Sequence, residues 1–464
     1  MSEELKVPSG WKIDSLENFM VKGGGNVDPS KYPNEQFDLY SIPAYDSQIP
    51  ELARGSEIGS TKKVVQENDV LLSRIVPHIQ RSWVVGKDVG RRQIGSGEWV
   101  IFRGNPFVPK YMRYFLLSYD FHMKLMTTIS GVGGSLTRAN PNLVGKFIIP
   151  LPPLPEQKAI VARIEQLLSD LENGKQQLQT AQQQLKIYRQ SLLKAGFEGK
   201  LTNKNVKEGE LPKGWKWVMP TDIASPEKYS IGIGPFGSNL KVSDYKPSGV
   251  PLVFVKNITR NDFTLVPRFV SKDKFIELKA HSTKPLDILI TKMGDPPGDC
   301  TIYPASAPEA IITADCLKFR VNEKLANRIF VFYSLQTLAV KKQFGSITKG
   351  VAQKKISTQR FRNILLPLPP LSEQQRIVSE LESKLTICDK IAETITQSLA
   401  QAETLRQSIL KKAFEGKLVR SEPEKEARIS DEALKQFAEN RRLAEKGVQK
   451  AIAENRKFGI PDEK

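Results

Sequence analysis

Cysteine, histidine and long apolar runs are what this sequence has least of. Its three cysteines, Cys300, Cys316 and Cys388, lie far apart with no C-x-x-C pair, which argues against a disulfide framework or a zinc site and fits reduced, inert thiols. The three histidines, His78, His122 and His281, show neither metal-ligand spacing nor a paired nucleophile. No apolar run approaches the ~20 residues that a membrane span needs. The N-terminal MSEELKVPSGW puts acidic residues where a signal peptide needs basic ones. The chain therefore reads as a globular protein of the cytoplasm with no membrane association.

Positive charge, by contrast, is in excess. The formal net charge is +18, and Lys and Arg in such surplus attract a polyanion and release its counterions on binding. From Ser421 onward ten basic residues face ten acidic ones, so the surplus lies in the first 420 residues. At 464 residues the chain is too long for one ordinary core and suits two domains with connecting elements.

An internal repeat supplies the organisation. PLPPLPEQ at 150–157 returns as PLPPLSEQ at 367–374, and RQSLLKAGFEGKL at 189–201 returns as RQSILKKAFEGKL at 406–418, both at an offset of 217 residues. The same offset pairs Arg103 with Arg320 and Phe115 with Phe332. VPSGWK from Val7 matches LPKGWK from Leu211 at an offset of 204, so the second copy is longer in its first part. Each copy reads as an α/β or mostly-β domain followed by one long helix. Short β-rich runs such as DVLLSR at 69–74 and DILITK at 287–292 alternate with Gly and Pro turns.

Past each proline-rich lead-in the apolar spacing changes to that of a coiled coil. In the first copy Ile160, Ile164, Leu167, Leu171, Gly174, Leu178, Ala181, Leu185, Tyr188 and Leu192 step by four and three. In the second, Ile377, Leu381, Lys384, Cys388, Ile391, Ile395, Ser398, Ala402, Leu405 and Ile409 do the same. Helices of ~40 residues would be ~60 Å long, and such stripes must be buried against another helix. An antiparallel pairing of the two copies is expected, with approximate two-fold symmetry. The chain as a whole falls in the mixed α+β class. A fixed rod with a basic domain at each end suits two readings of one DNA duplex.

A variable domain, then P-L-P-P-L-x-E-Q leading into a long helix that ends F-E-G-K-L, then the same again, resembles the specificity subunits of type I restriction-modification enzymes. The resemblance covers roughly residues 7–418. It implies target-recognition domains at 1–150 and 202–367 and spacer helices at 151–201 and 368–418; a charged helical extension at 419–464 lies beyond it. It further implies a non-catalytic chain that binds double-stranded DNA at a split, asymmetric sequence and docks two modification subunits. Those partners would methylate adenine N6 with S-adenosylmethionine, and restriction or motor subunits would use ATP and Mg; this chain would bind no cofactor. YSIPAYDSQIPE at 40–51 and LLSRIVPHIQRSW at 71–83 in the first domain, against GPFGSNLK at 234–241 in the second, look like two different domain types. A type IIB-like specificity subunit fits the same residues. So, less well, do a stand-alone methyltransferase or nuclease and a coiled-coil tether.

Arg74, Arg81, Arg91 and Arg92 in the first domain, and Ser238, Asn239, Lys241, Lys256, Arg260 and Lys292 in the second, are the candidates for DNA contact. Arg can pair bidentately with guanine, whereas Lys anchors phosphate as a point charge. Arg103 and Arg320, kept by both unlike domains, fit a structural role, and Trp83, Trp99 and Phe236 read as core residues.

Three patterns suggest chemistry that their context does not support. Gly232, Gly234 and Gly237 form G-x-G-x-x-G, but Pro235 removes an amide and no βαβ unit follows. Asp295-Pro296-Pro297-Gly298 lacks the aromatic residue that adenine methyltransferases stack on a flipped base. Asp262, Glu277 and Lys279 match a D…ExK nuclease pattern only as chance spacing in a charge-rich chain. In the tail, Ile429, Leu434, Phe437, Leu443 and Ile452 suggest an amphipathic helix, either partner-contacting or solvated.

Overall fold

Strand formation in both halves begins with short, mostly apolar runs. Val70–Ser73 and Trp99–Phe102 are buried along their whole length and pair antiparallel, with Ser82–Val84 on the other edge. Ile288–Thr291 and Cys316–Phe319 repeat this pair in the second half, flanked by Cys300–Ile302 and Ile231–Ile233. Short, mostly apolar runs buried at every position, too short for a helix, are what doubly covered strands require. The structure is a computed structural model that describes residues 7–457 except 24, 131–136, 204–205, 208, 266, 295–296, 347–354 and 420–424.

The chain divides into two units, one of Met1–Gln179 with Ile395–Leu443 and the other of Thr180–Thr394 with Ala444–Lys464. Each unit thus takes one domain and half of each long helix. In the first unit a five-stranded sheet runs Asn26–Val27, Lys62–Val64, Arg92–Gly95, Gln36–Tyr40, Glu51–Arg54 in spatial order. In the second unit a four-stranded sheet runs Phe269–Val270, Val250–Val253, Ala310–Ile312, Ser282–Thr283. Both sheets contain one parallel contact among antiparallel ones, so the mixed α+β class holds.

The duplicated motifs form a joint in each unit. Lys12–Ser15 pairs with Ile148–Leu151 in the first, and Lys216–Val218 with Leu366–Leu368 in the second, which sets each G-W beside the start of a long helix. The Trp11 indole donates to Glu156, and the Trp215 indole to Glu373. The neighbouring Gln157 and Gln374 are fully buried, and each side chain satisfies backbone groups: Gln157 accepts from Val108 N–H and donates to Pro106 and Pro152 carbonyls, while Gln374 accepts from Asn327 N–H and donates to Pro369. A buried amide is tolerated only when paired in this way. Glycines past the helix ends complete the joints: Gly416, at φ +73, packs on Pro8 and Trp11, and Gly199, at φ +76, on Pro212 and Trp215. A Cβ there would meet those prolines at 2.2 and 2.3 Å, so both the left-handed turn and the close approach require glycine.

The first long helix spans Leu154–Phe197 and the second Leu371–Phe414. Their seam residues are buried as the heptads require: Ile160, Ile164, Leu171, Leu178, Leu185 and Leu192 on one, Ile377, Leu381, Ile395, Leu405 and Ile409 on the other. Leu167 and Ile391 are only half-buried. Within the first unit Ile160 and Ile164 share a core with Ile409, Leu410 and Ala413. Within the second, Gly196 approaches Leu381 while Arg189 bonds Asp389 at 2.6 Å, so the helices run antiparallel.

A third helix, Lys425–Lys457, corrects the solvated-tail alternative. Phe437 is buried against Gly174 in the first unit; in the second, Gly447 meets Ile391 and Glu454 bonds Lys384 at 3.3 Å. Its buried residues beyond Phe437 are Ala444, Val448 and Ala451, whereas Leu443 is exposed. Leu434 is partly buried and Ile452 intermediate; the side chain of Ile429 lies outside the described residues. The helix therefore packs through Phe437 and Leu434, as the apolar pattern had it, and through Ala444, Val448 and Ala451, which that pattern did not pick out.

Candidate nucleic-acid interface

Each domain holds the same ion pair around a buried carboxylate. Arg103 grips Asp69 through two bonds of 2.6 Å, and Arg320 grips Asp287 through bonds of 2.7 and 2.8 Å. Asp69 is 0% and Asp287 2% exposed, and bidentate geometry of this kind offsets their desolvation. Each carboxylate also holds its own turn, Asp69 accepting from Gln66 N–H and Asp287 from Lys284 N–H. The two arginines shared by both copies are thus framework.

Both copies then set a basic residue at the end of the buried strand. Arg74 N–H donates to Glu98 C=O, its guanidinium bonds the Glu98 carboxylate at 2.9 Å, and Arg138 reaches the same carboxylate. At the matching place Lys292 N–H donates to Asp315 C=O, and its ammonium to Ala314 C=O. The bridge Ile75 to Arg138 has its counterpart in Met293 to Lys355.

In the first domain Arg91 and Arg92 come together with residues that sequence reasoning missed. Asn34, Glu35, Gln36, Arg54, Gly90, Arg91 and Arg92 line one open groove at the five-stranded sheet. Arg91 bonds buried Asp38 at 2.8 Å, and Arg92 bonds Glu35 while lying 4.1 Å over the Tyr32 ring. The Arg92 hydrogen bond holds the Glu35 carboxyl below its usual range. Arg54 is exposed and its guanidinium has no carboxylate partner among the described residues. A groove of Arg, Asn and Gln side chains presents the donors and acceptors that base edges or phosphates take up. The only signal in the sequence was the alternation around the paired strands, which does not reveal which strands meet. Arg81 is half-buried, and its Nε–H has no partner among the described residues.

The second domain gathers its candidates around the Thr313–Cys316 turn. Gly234 N–H donates to Cys316 C=O, Thr313 bonds Val253 C=O just before the helix Val255–Thr259, and Lys292 meets Ala314 and Asp315. The loop with Ser238, Asn239 and Lys241, that helix with Lys256 and Arg260, and Lys292 are therefore all anchored to one turn. All of these side chains except Lys292 are exposed. Trp83 and Trp99 are core residues as expected, the Trp99 indole donating to Tyr40 C=O at 2.7 Å. Phe236 is not: it is 68% exposed, a correction, on a loop where Gly237 beside it stands in open space.

The misleading patterns resolve locally. Asp262 accepts from Thr264, Glu277 from Lys274, and Lys279 bonds Glu309, so the D…ExK residues are engaged separately. Gly232 belongs to a strand, and Gly234 to a loop rather than to a helix start. Asp295 and Pro296 lie outside the described residues. His281 contacts Ile233 C=O at 2.6 Å, and His122 has a lowered pKa through burial and the nearby His78. Burial pushes the thiols of Cys300 and Cys316 up to about 12, which makes them unreactive. Among the described residues no helix is long and apolar enough to cross a membrane.

Comparison with known proteins bears on this arrangement. The family described as type I restriction modification DNA specificity domain matches residues 8–180 and 240–401. The chain is similar to the EcoBI specificity subunit of Escherichia coli, 28% identical over 284 residues, with 58% of each chain covered. It is also similar to the putative MjaX specificity subunit of Methanocaldococcus jannaschii, 25% identical over 89% of this chain and 95% of that one. A solved chain from a study of complex assembly and conformational transition of the type I R-M system superposes with TM-score 0.73 at 25% identity, covering 89% of this chain and all (100%) of that one. The crystal structure of the HsdS subunit from Thermoanaerobacter tengcongensis shares the fold, with TM-score 0.61 at 24% identity over 89% of this chain and 98% of that one.

Proposed function

The chain belongs to the type I restriction-modification DNA specificity family, and from that premise we propose that it is the non-catalytic subunit that reads DNA for such an enzyme. Each domain reads one half of a split target, and the paired helices set the gap between halves and dock two modification subunits. Methylation of adenine with S-adenosylmethionine, and cleavage using ATP and Mg, belong to partner subunits acting in the cytoplasm. The observation that carries this reading is the combination of one framework with two unlike surfaces. The joint and the buried Arg–Asp pair recur in both copies, whereas Arg91 and Arg92 of the first groove have Pro308 and Glu309 at the 217-residue offset. Two different surfaces imply a non-palindromic target.

Methylation mapping tests it. N6-methyladenine would be read genome-wide in a host expressing the neighbouring modification subunit with and without this chain. A split asymmetric motif that appears only with the chain is the expected result. Unchanged methylation, or turnover of DNA by the pure chain alone, would overturn the reading. A partner that fuses methylation and cleavage, as in a type IIB-like enzyme, would be recognised from the adjacent genes.

A further inference from the structure

The exposed Phe236 has no role in the fold. We infer that it is a wedge that enters a base step of the DNA half-site read by the second domain, an inference that rests on the DNA-reading function proposed above. The loop is built to present a side chain rigidly. Gly234 is pressed against Thr313, where a Cβ would stand 2.1 Å from backbone atoms, and its N–H is held by Cys316 C=O. Asn239 N–H then closes a turn on Phe236 C=O at 2.8 Å. Phe236 therefore stands on a clamped turn, 68% exposed, with Gly237 beside it in open space.

Its surroundings select the occupant. Ser238, Asn239 and Lys241, two to five residues further along the same loop, are all exposed, polar and cationic groups that suit a phosphate backbone. The chain's net charge of +18 points the same way. An aromatic ring pushed between stacked bases is a known means of unstacking a step and bending the duplex.

The corresponding segment of the first domain carries no aromatic residue. There Met20 bridges Phe102 as Ile231 pairs with Phe319, and the chain continues VKGGGNV with no aromatic residue. Distortion is therefore confined to one half-site.

The experiment uses the full chain and duplexes carrying its mapped target, with 2-aminopurine placed in turn at each step of both half-sites, the methylated adenines excepted. A several-fold rise in fluorescence at one step of a single half-site is expected for the wild type and for Phe236→Trp, and its loss in Phe236→Ala. Because the side chain is exposed, Phe236→Ala should fold normally, as an unchanged circular dichroism melt will show. If site-specific binding persists but no step brightens, or Phe236→Ala brightens equally, the wedge is refuted while DNA reading stands. If methylation mapping yields no target that depends on this chain, the function proposed above falls and the wedge with it.

Discussion

Gly174 occupies a seam position where heptad logic asks for an apolar side chain, and glycine inside a helix costs about 1 kcal/mol relative to alanine. Helix propensity alone therefore says that Gly174→Ala stabilises. The structure says otherwise, because a Cβ at 174 would lie 2.7 Å from Cε1 and 3.2 Å from Cζ of Phe437, itself only 4% exposed. Overpacking of that kind costs about 1–3 kcal/mol, so the net effect in the wild type is between neutral and about 2 kcal/mol destabilising. Phe437→Ala removes the ring at a cost of about 3–5 kcal/mol. In that background Gly174→Ala should recover the full propensity gain of about 1 kcal/mol, so the sign of the substitution inverts. Hydrogen exchange of the amides between Leu171 and Leu178, compared across the four proteins of the cycle, reads the local stability. An equal gain from Gly174→Ala in both backgrounds would refute the placement of the tail helix on the seam.

Three further outcomes follow from the framework and the proposed function. Asp69→Ala or Asp287→Ala leaves a guanidinium without its buried partner and should cost about 3 kcal/mol or more in urea unfolding. Removing the half-exposed Glu227, which also touches Arg320, should change stability by less than about 1 kcal/mol; a small effect from Asp287→Ala would contradict the framework role. Lys318 is 2% exposed, its ammonium bonded to Ala280 and Ser282 carbonyls, and burial lowers its pKa to about 8. Below pH 8 the ammonium is charged in both folded and unfolded chains and its desolvation penalty is constant. From pH 8 to about 10.5 the unfolded chain binds more protons, so stability rises by up to about 3 kcal/mol. Lys318→Met should flatten that rise, and an unchanged slope would remove Lys318 as its source. Adding one heptad to each long helix lengthens each by about 10 Å, about three base pairs at 3.4 Å each. The gap in the methylated motif should widen to match, and an unchanged gap would end the spacer role.

Much of the architecture was determined by sequence alone, because its determinants are local or repeated. The four-three spacing from Ile160 to Leu192 and from Ile377 to Ile409 specifies a buried stripe without reference to anything distant. The matched lead-ins and exits declare the duplication, and their E-Q, G-W and Gly residues turned out to be the three parts of one joint. What only the tertiary structure decided is which long side chains are engaged. Arg74, Arg91 and Arg92 looked alike in sequence, yet Glu98, Asp38 and Glu35 take them up from 24 to 57 residues away, while Arg54 finds no carboxylate among the described residues. The tail helix finds its place through Gly174 and Gly447, positions whose only signal is the absence of a side chain. Phe236 is exposed for the same kind of reason: exposure depends on what the rest of the chain brings near a residue, and no periodicity within one segment encodes that.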